Sequence, residues 1–238
     1  MAQGEQSVTA QLPLAIRWND IAGFEQFVPG ANIQAVEAVA AAADGVGGGY
    51  VYLHGASGTG RTHLLQAACR RCGERGAQAV YLPLEQTDGL DPGLLEGLES
   101  LALIAMDDLH LVAGKPNWEE AVFHLYNRVL EAGGRLLISA SARPAKLGIS
   151  LPDLESRLSW GLVHRLQPLS EPELLQALER RALARGLELP ADTGRYLISR
   201  VPRDAGSLFS LLDRLDQAAL AAQRRLTVPF VRRVLFRD

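Results

Sequence analysis

Residues 55 to 62 read Gly-Ala-Ser-Gly-Thr-Gly-Arg-Thr, and this octet restricts the fold more than any other segment of the chain. It satisfies the phosphate-loop pattern G-x-x-x-x-G-K-[ST] at every fixed position but one, because Arg61 stands where the pattern has lysine. The flanks agree with it. Tyr50-Val51-Tyr52-Leu53-His54 has the texture of a buried strand entering the loop, and Thr62 to Ala68 that of a helix leaving it. Gly55, Gly58 and Gly60 allow the backbone to curl until its N–H groups converge on phosphate oxygens at a helix N-terminus. Ser57, Thr59 and His63 belong to the same phosphate-facing stretch, and Thr62 supplies the hydroxyl expected on Mg²⁺. Arginine is a wide planar fork where lysine is a compact point charge. A bound di- or triphosphate is therefore expected, with aptitude for hydrolysis in question.

The rest of the chain alternates apolar runs with helical patterns. Ile33 to Ala43 has helical spacing and ends in the glycine-rich Asp44 to Gly49. Ala79 to Leu84, Leu101 to Asp108, Arg135 to Ser141 and Gly161 to Leu166 are further strand candidates, with a short helix expected at Pro92 to Ser100 and an amphipathic one at Trp118 to Glu131. Such alternation implies right-handed crossovers and a parallel sheet covered on both faces. Ligands of these sheets bind beyond the carboxyl ends of the strands, where the loop, Asp107 and Ser141 would lie. After Leu166 the pattern is helical only. Ser170-Glu171-Pro172-Glu173 opens it as a capping box. The expected organisation is a flexible arm over 1–19, an α/β nucleotide-binding unit over 20–167 and a small all-helical lid over 168–238.

Bulk properties exclude several classes. A net charge of −3 argues against a nucleic-acid surface spread over the whole protein. No run approaches the roughly 20 apolar residues of a membrane span. The N-terminus lacks a basic segment followed by an apolar one. With two cysteines besides, a cytoplasmic protein without a membrane role is expected. Cys69 and Cys72 form C-x-x-C inside the predicted phosphate-loop helix, and no second pair completes a zinc site. Two lysines stand against twenty-two arginines, so compositional drift is one account of Arg61.

A second acidic element strengthens the nucleotide reading. Met106-Asp107-Asp108 closes a strand about 45 residues after the loop, where Asp107 would hold Mg²⁺ through water. Asp108 falls where many ATPases carry a water-orienting glutamate. Together with Gly55–Leu65 (GASGTGRTHLL), the segments Asp107–Gly114 (DDLHLVAG), Phe123–Leu130 (FHLYNRVL), Leu151–Trp160 (LPDLESRLSW) and Leu226–Val231 (LTVPFV) resemble the Hda family. These are AAA+ P-loop NTPase paralogues of the bacterial replication initiator DnaA. The resemblance runs from about Gln11 to the end and implies a parallel five-stranded sheet with an all-α lid. It leaves no room for the initiator's DNA-binding domain.

What the resemblance implies transfers residue by residue. Gln11, Leu12, Leu14 and Ile16 match a motif for docking on the β sliding clamp of the replicase. Arg157 matches an arginine finger that reaches a nucleotide held by a neighbour; on spacing alone it would pair with Asp153 at i, i+4. Ser141 fits the sensor at the end of the fourth strand, with Ser139 the other choice. Arg203 in Val201-Pro202-Arg203-Asp204 fits the lid sensor, and Phe27 in the segment Phe24 to Gly30 lies against the adenine.

The implied function is a regulatory adaptor holding ADP or ATP, with Mg²⁺ alongside. It would dock on the DNA-loaded clamp, touch DNA mainly through it, and stimulate ATP hydrolysis by DnaA, with Arg157 and Asp108 as the catalytic candidates. Homodimerisation through the finger surface is left open. Against it stand an autonomous AAA+ ATPase or loader, which Arg61 and Asp108 disfavour, and a small-molecule kinase, for which residues 83 to 100 are too short.

Overall fold

The computed structural model describes residues 22–86, 90–200, 205–222 and 225–235. Five parallel strands form one sheet: β1 (Tyr50–His54), β2 (Ala79–Pro83), β3 (Leu103–Asp107), β4 (Arg135–Ala140) and β5 (Leu162–Arg165), in the order β2-β3-β4-β1-β5. Helices α1 (Ile33–Ala43) and α2 (Arg61–Glu74) cover one face; α3 (Pro116–Glu131) and α4 (Pro152–Ser159) cover the other. The period of two divides each strand between two cores. Val51, Leu53, Leu103 and Ala105 pack towards α1 and α2, whereas Tyr50, Tyr52, Ile104 and Met106 pack towards α3 and α4. A sheet apolar on both faces needs both layers of helices, which is why its strands read as unbroken apolar runs.

One expectation changes. The segment Pro92 to Ser100 forms two short 3-10 turns, Pro92–Leu95 and Leu98–Ser100, instead of a helix. Gly97 separates them at φ 79°, a left-handed conformation that interrupts helical hydrogen bonding. The Leu151 to Trp160 segment carries the helix α4, whose Leu154 and Leu158 reach the core.

Beyond β5 the chain is helical: α5 (Glu171–Leu183), α6 (Ala191–Arg200), α7 (Ala205–Ala222) and α8 (Val228–Leu235) enclose a core of their own. The Ser170 N–H donates to the Glu173 carboxylate at 2.7 Å, closing the capping box that starts α5. Two contacts seat this unit on the sheet. Buried Asn32 exchanges a pair of hydrogen bonds with the Gln167 backbone, at 3.0 and 2.7 Å. Arg180 of α5 donates to the carbonyls of Glu25 and Phe27 at 3.3 and 3.2 Å. The segment before α1 thus links lid and sheet, and it also forms one wall of the site. No helix among the described residues is long and apolar enough to cross a membrane.

Burial places three of the five histidines below their ordinary pKa: His54, His63 and His164. Below about pH 6.5 the unfolded chain therefore binds protons that the native state refuses, so stability falls with pH in that window. The melting temperature is expected to drop between pH 7.5 and 5.5, and to drop less in His63→Gln. A melting temperature that rises on acidification would contradict this account.

Candidate nucleotide site

The loop between β1 and α2 opens onto a cavity of about 380 Å³ that the sheet unit and the lid share. Ser57 through His63 line it on one side with Phe27 and Asp108; Arg181, Phe209, Ser210 and Asp213 line it from α5 and α7. Gly60 caps α2 at φ 92°, and a Cβ there would lie 2.5 Å from the Phe27 ring. The loop needs glycine at that position for both reasons. His63 sits between ring and backbone, its Nε2 2.8 Å from the Gly23 carbonyl and its imidazole 5.4 Å from the Phe27 ring. Burial lowers its pKa, so near neutrality it is an uncharged neighbour of the pocket.

Arg61 does not simply replace a lysine. One nitrogen of its fork, Nη1, donates to the Gly55 carbonyl at 2.7 Å and to the Ala140 carbonyl at 2.6 Å. The other, Nη2, lies 2.9 Å from Oδ1 of Asp108. A lysine has a single ammonium and could not span these three acceptors in one geometry. The guanidinium therefore ties the end of β1 to the end of β4 and to the residue after β3. It still lines the cavity, with only 11% of its side chain exposed.

The two acids behave differently. Asp107 is buried: Oδ2 accepts from the Tyr81 hydroxyl at 2.7 Å, and Oδ1 accepts from the Ser139 hydroxyl. Ser139 in turn accepts from the Asp108 N–H at 3.0 Å. Asp108 faces the cavity and adopts the left-handed conformation at φ 60°, a region few residues other than glycine enter. Burial raises its pKa, with Asp107 adding to the rise and Arg61 opposing it.

Ser139, rather than Ser141, is the β4 hydroxyl that meets these acids. The register that pairs Met106 with Ile138 puts Asp107 and Ser139 on the next rung, while Ser141 lies past the strand end with its side chain exposed. Thr62 and Asp107 offer a hydroxyl and a carboxylate, oxygen donors that suit Mg²⁺ retaining most of its waters. Nothing tighter fits: among the described residues no three His, Cys, Asp or Glu side chains converge as a metal cage.

Arg157 is exposed on α4 and forms no ion pair with Asp153 or any other acid among the described residues. It stands outside this cavity. Gln11, Leu12, Leu14, Ile16 and Arg203 lie outside the described residues. The pocket also contains side chains that sequence reasoning missed. Arg181 stacks over Phe209 at 4.8 Å and pairs with Asp213 at 3.3 Å, binding α5 to α7 across the mouth. No local signal marks them, since on amphipathic helices they look like any other charged or apolar positions. Cys69 and Cys72 are free and buried, the Cys69 thiol pushed up to about 12 by burial, and neither is a reactive thiol. For the fork itself, Arg61→Lys should lower unfolding free energy by about 1–3 kcal/mol, because carbonyls at the strand ends lose a charged donor. Denaturant unfolding without nucleotide tests this, and an unchanged midpoint would mean the fork is dispensable.

Comparison with known proteins agrees with this architecture. The family described as "Bacterial DnaA ATPAse domain" matches residues 18–87 and 93–165, and "Hda, lid domain" matches residues 171–235. Domain III of the replication initiation protein DnaA from Thermotoga maritima superposes with a TM-score of 0.80 at 23% identity, over 92% of this chain and 97% of that one. AMPPCP-bound DnaA from Aquifex aeolicus gives 0.69 at 23%, over 86% of this chain and 66% of that one. A RuvB A156S mutant from Thermotoga maritima gives 0.68 at 18%, over 90% and 71%. With the DnaA-type ATPase family matched across the sheet unit and the Hda type across the lid, the chain belongs to the Hda family of AAA+ DnaA paralogues.

Proposed function

We propose that this protein is a nucleotide-bound regulatory adaptor of replication initiation, which promotes ATP hydrolysis in DnaA and hydrolyses little or none itself. The observation that carries this reading is a contrast between two arginines. Arg61, inside the nucleotide site, is fully engaged by Gly55, Ala140 and Asp108. Arg157, on the surface, has no acid partner among the described residues. A free guanidinium on a rigid helix suits stabilisation of charge on a phosphoryl group held by another subunit.

In this reading the cavity holds ADP, with the loop amides on the phosphates and Phe27 against the base. AMPPCP in the Aquifex aeolicus relative supports an adenine nucleotide in such a cavity. Asp108 faces Arg61, so it is poorly placed to orient water; its catalytic part in this chain is correspondingly small. Bound nucleotide would join sheet and lid. The arm motif Gln11, Leu12, Leu14 and Ile16 tethers the protein to the β clamp on DNA, raising its effective concentration near DnaA. The outcome is removal of ATP-bound DnaA and prevention of re-initiation. The phosphate loop, whose glycines and Thr62 match the pattern, favours one other reading, an autonomous ATPase, which requires steady turnover by the isolated chain.

The test is hydrolysis of DnaA-bound ATP in the presence of DNA-loaded clamp. Wild-type protein should accelerate it. Arg157→Ala should remove on the order of 10³-fold of that acceleration, the lower end for arginine fingers. Gln11→Ala with Leu14→Ala should raise the concentration needed and leave the rate at saturation unchanged. If wild type leaves DnaA unaffected yet turns over ATP alone, the autonomous reading replaces this one.

A further inference from the structure

Two acidic side chains are buried among the described residues. Asp107 belongs to the nucleotide site, and Glu119 does not. Glu119 lies in the first turn of α3, 2% exposed, with no cation paired to it among the described residues. Its carboxylate is held entirely by backbone. Oε1 accepts from the N–H groups of Gly114 at 2.6 Å and Ser150 at 3.1 Å; Oε2 accepts from Ser150 at 3.0 Å and Leu151 at 2.9 Å. A buried carboxylate is unfavourable unless such charge-assisted bonds compensate it.

The location of those amides is informative. Ser150 and Leu151 immediately precede Pro152, the first residue of α4. Proline has no N–H, so the amides just before it are the donors nearest the entrance of that helix, and Glu119 holds both of them. At the other end the Tyr50 hydroxyl donates to the Leu158 carbonyl at 3.1 Å. Leu154 and Leu158 are buried between these two anchors, while Arg157 and the 75%-exposed Trp160 face outward. A helix of eight residues does not hold its own shape in water, so its direction comes from its anchors.

We propose that Glu119 is a positioning residue for Arg157: it fixes the entrance of α4, and with it the direction in which the guanidinium leaves the surface. This rests on the reading of Arg157 as the group supplied to ATP on DnaA. A buried anion serves here because a single side chain must accept from three amides, and only a carboxylate does so without presenting a donor of its own. Small displacements of a charge-stabilising group reduce rate far more than they reduce binding.

The test uses the full-length chain in the DnaA–ATP assay with DNA-loaded clamp, reading the saturating rate and the half-saturating concentration separately. Glu119→Gln keeps the shape but turns an amide donor towards backbone donors. It should lower the saturating rate by about tenfold or more and leave the half-saturating concentration within about twofold. ADP affinity should be unchanged, and faster amide exchange should be confined to Gly114 and residues 148–159. In an Arg157→Ala background it should cause no further loss. Tyr50→Phe, which releases the other end of α4, should give the same pattern and provides the test if Glu119→Gln does not fold. An unchanged saturating rate overturns the proposal. So does a loss that multiplies with Arg157→Ala, or one accompanied by weaker ADP binding and faster exchange across the sheet. If Arg157→Ala is itself fully active, the finger reading fails and the proposal with it. If only Glu119→Gln and Tyr50→Phe are fully active, positioning alone fails.

Discussion

The guanidinium of Arg61 is the contact on which the nucleotide site depends. At the top of this sheet the carbonyls of Gly55 and Ala140, the latter also accepting from the Gly55 N–H at 3.4 Å, converge on one fork. Its second nitrogen reaches Asp108, at the end of the neighbouring strand. The lacing continues through Ser139 to Asp107 and on to Tyr81, so the ends of β1, β4, β3 and β2 form one connected polar seam. Such a seam is rigid because each member satisfies another in a region poor in water. A lysine would hold one part of it. Arginine holds three, at the expense of a cation free to follow the outermost phosphate.

That seam gives physical form to the proposed division of labour. A hydrolytic site needs a mobile cation and an acid free to orient water, and here the two face each other. Outside the cavity, Arg157 has no acid partner among the described residues and sits on a short helix anchored by a buried carboxylate and a buried tyrosine. The lid closes the cavity by a different device. Asn32 and Arg180 hold the lid to the segment before α1, and Phe27 in that same segment packs on the loop. Any ligand that moves Phe27 is therefore coupled to the lid through a few residues of backbone.

Much of this was legible in the chain. The phosphate loop, the strands and the lid helices announce themselves because glycine spacing, two-sided apolar runs and capping residues are local properties. The break at Gly97 was less legible: Pro92 to Ser100 has the composition of a helix, and one left-handed glycine divides it. The serine of the polar seam was equally ambiguous. Ser139 and Ser141 share the alternation of one apolar run, and the choice between them depends on where β4 ends and which rung of β3 stands opposite.

The sequence by itself determined that this chain folds as an α/β phosphate-loop protein of the Hda type, because each defining feature occupies consecutive residues. Tertiary structure decided what the unusual residue does. Arg61 meets carbonyls and a carboxylate from segments up to 79 positions away, and only the strand order β2-β3-β4-β1-β5 brings those ends together. The same holds for Glu119, an ordinary helix residue in the sequence, which the crossover from α3 to α4 turns into an anchor for amides about thirty positions downstream. Backbone donors and acceptors leave no trace in the sequence, and contacts made to them appear only in the fold.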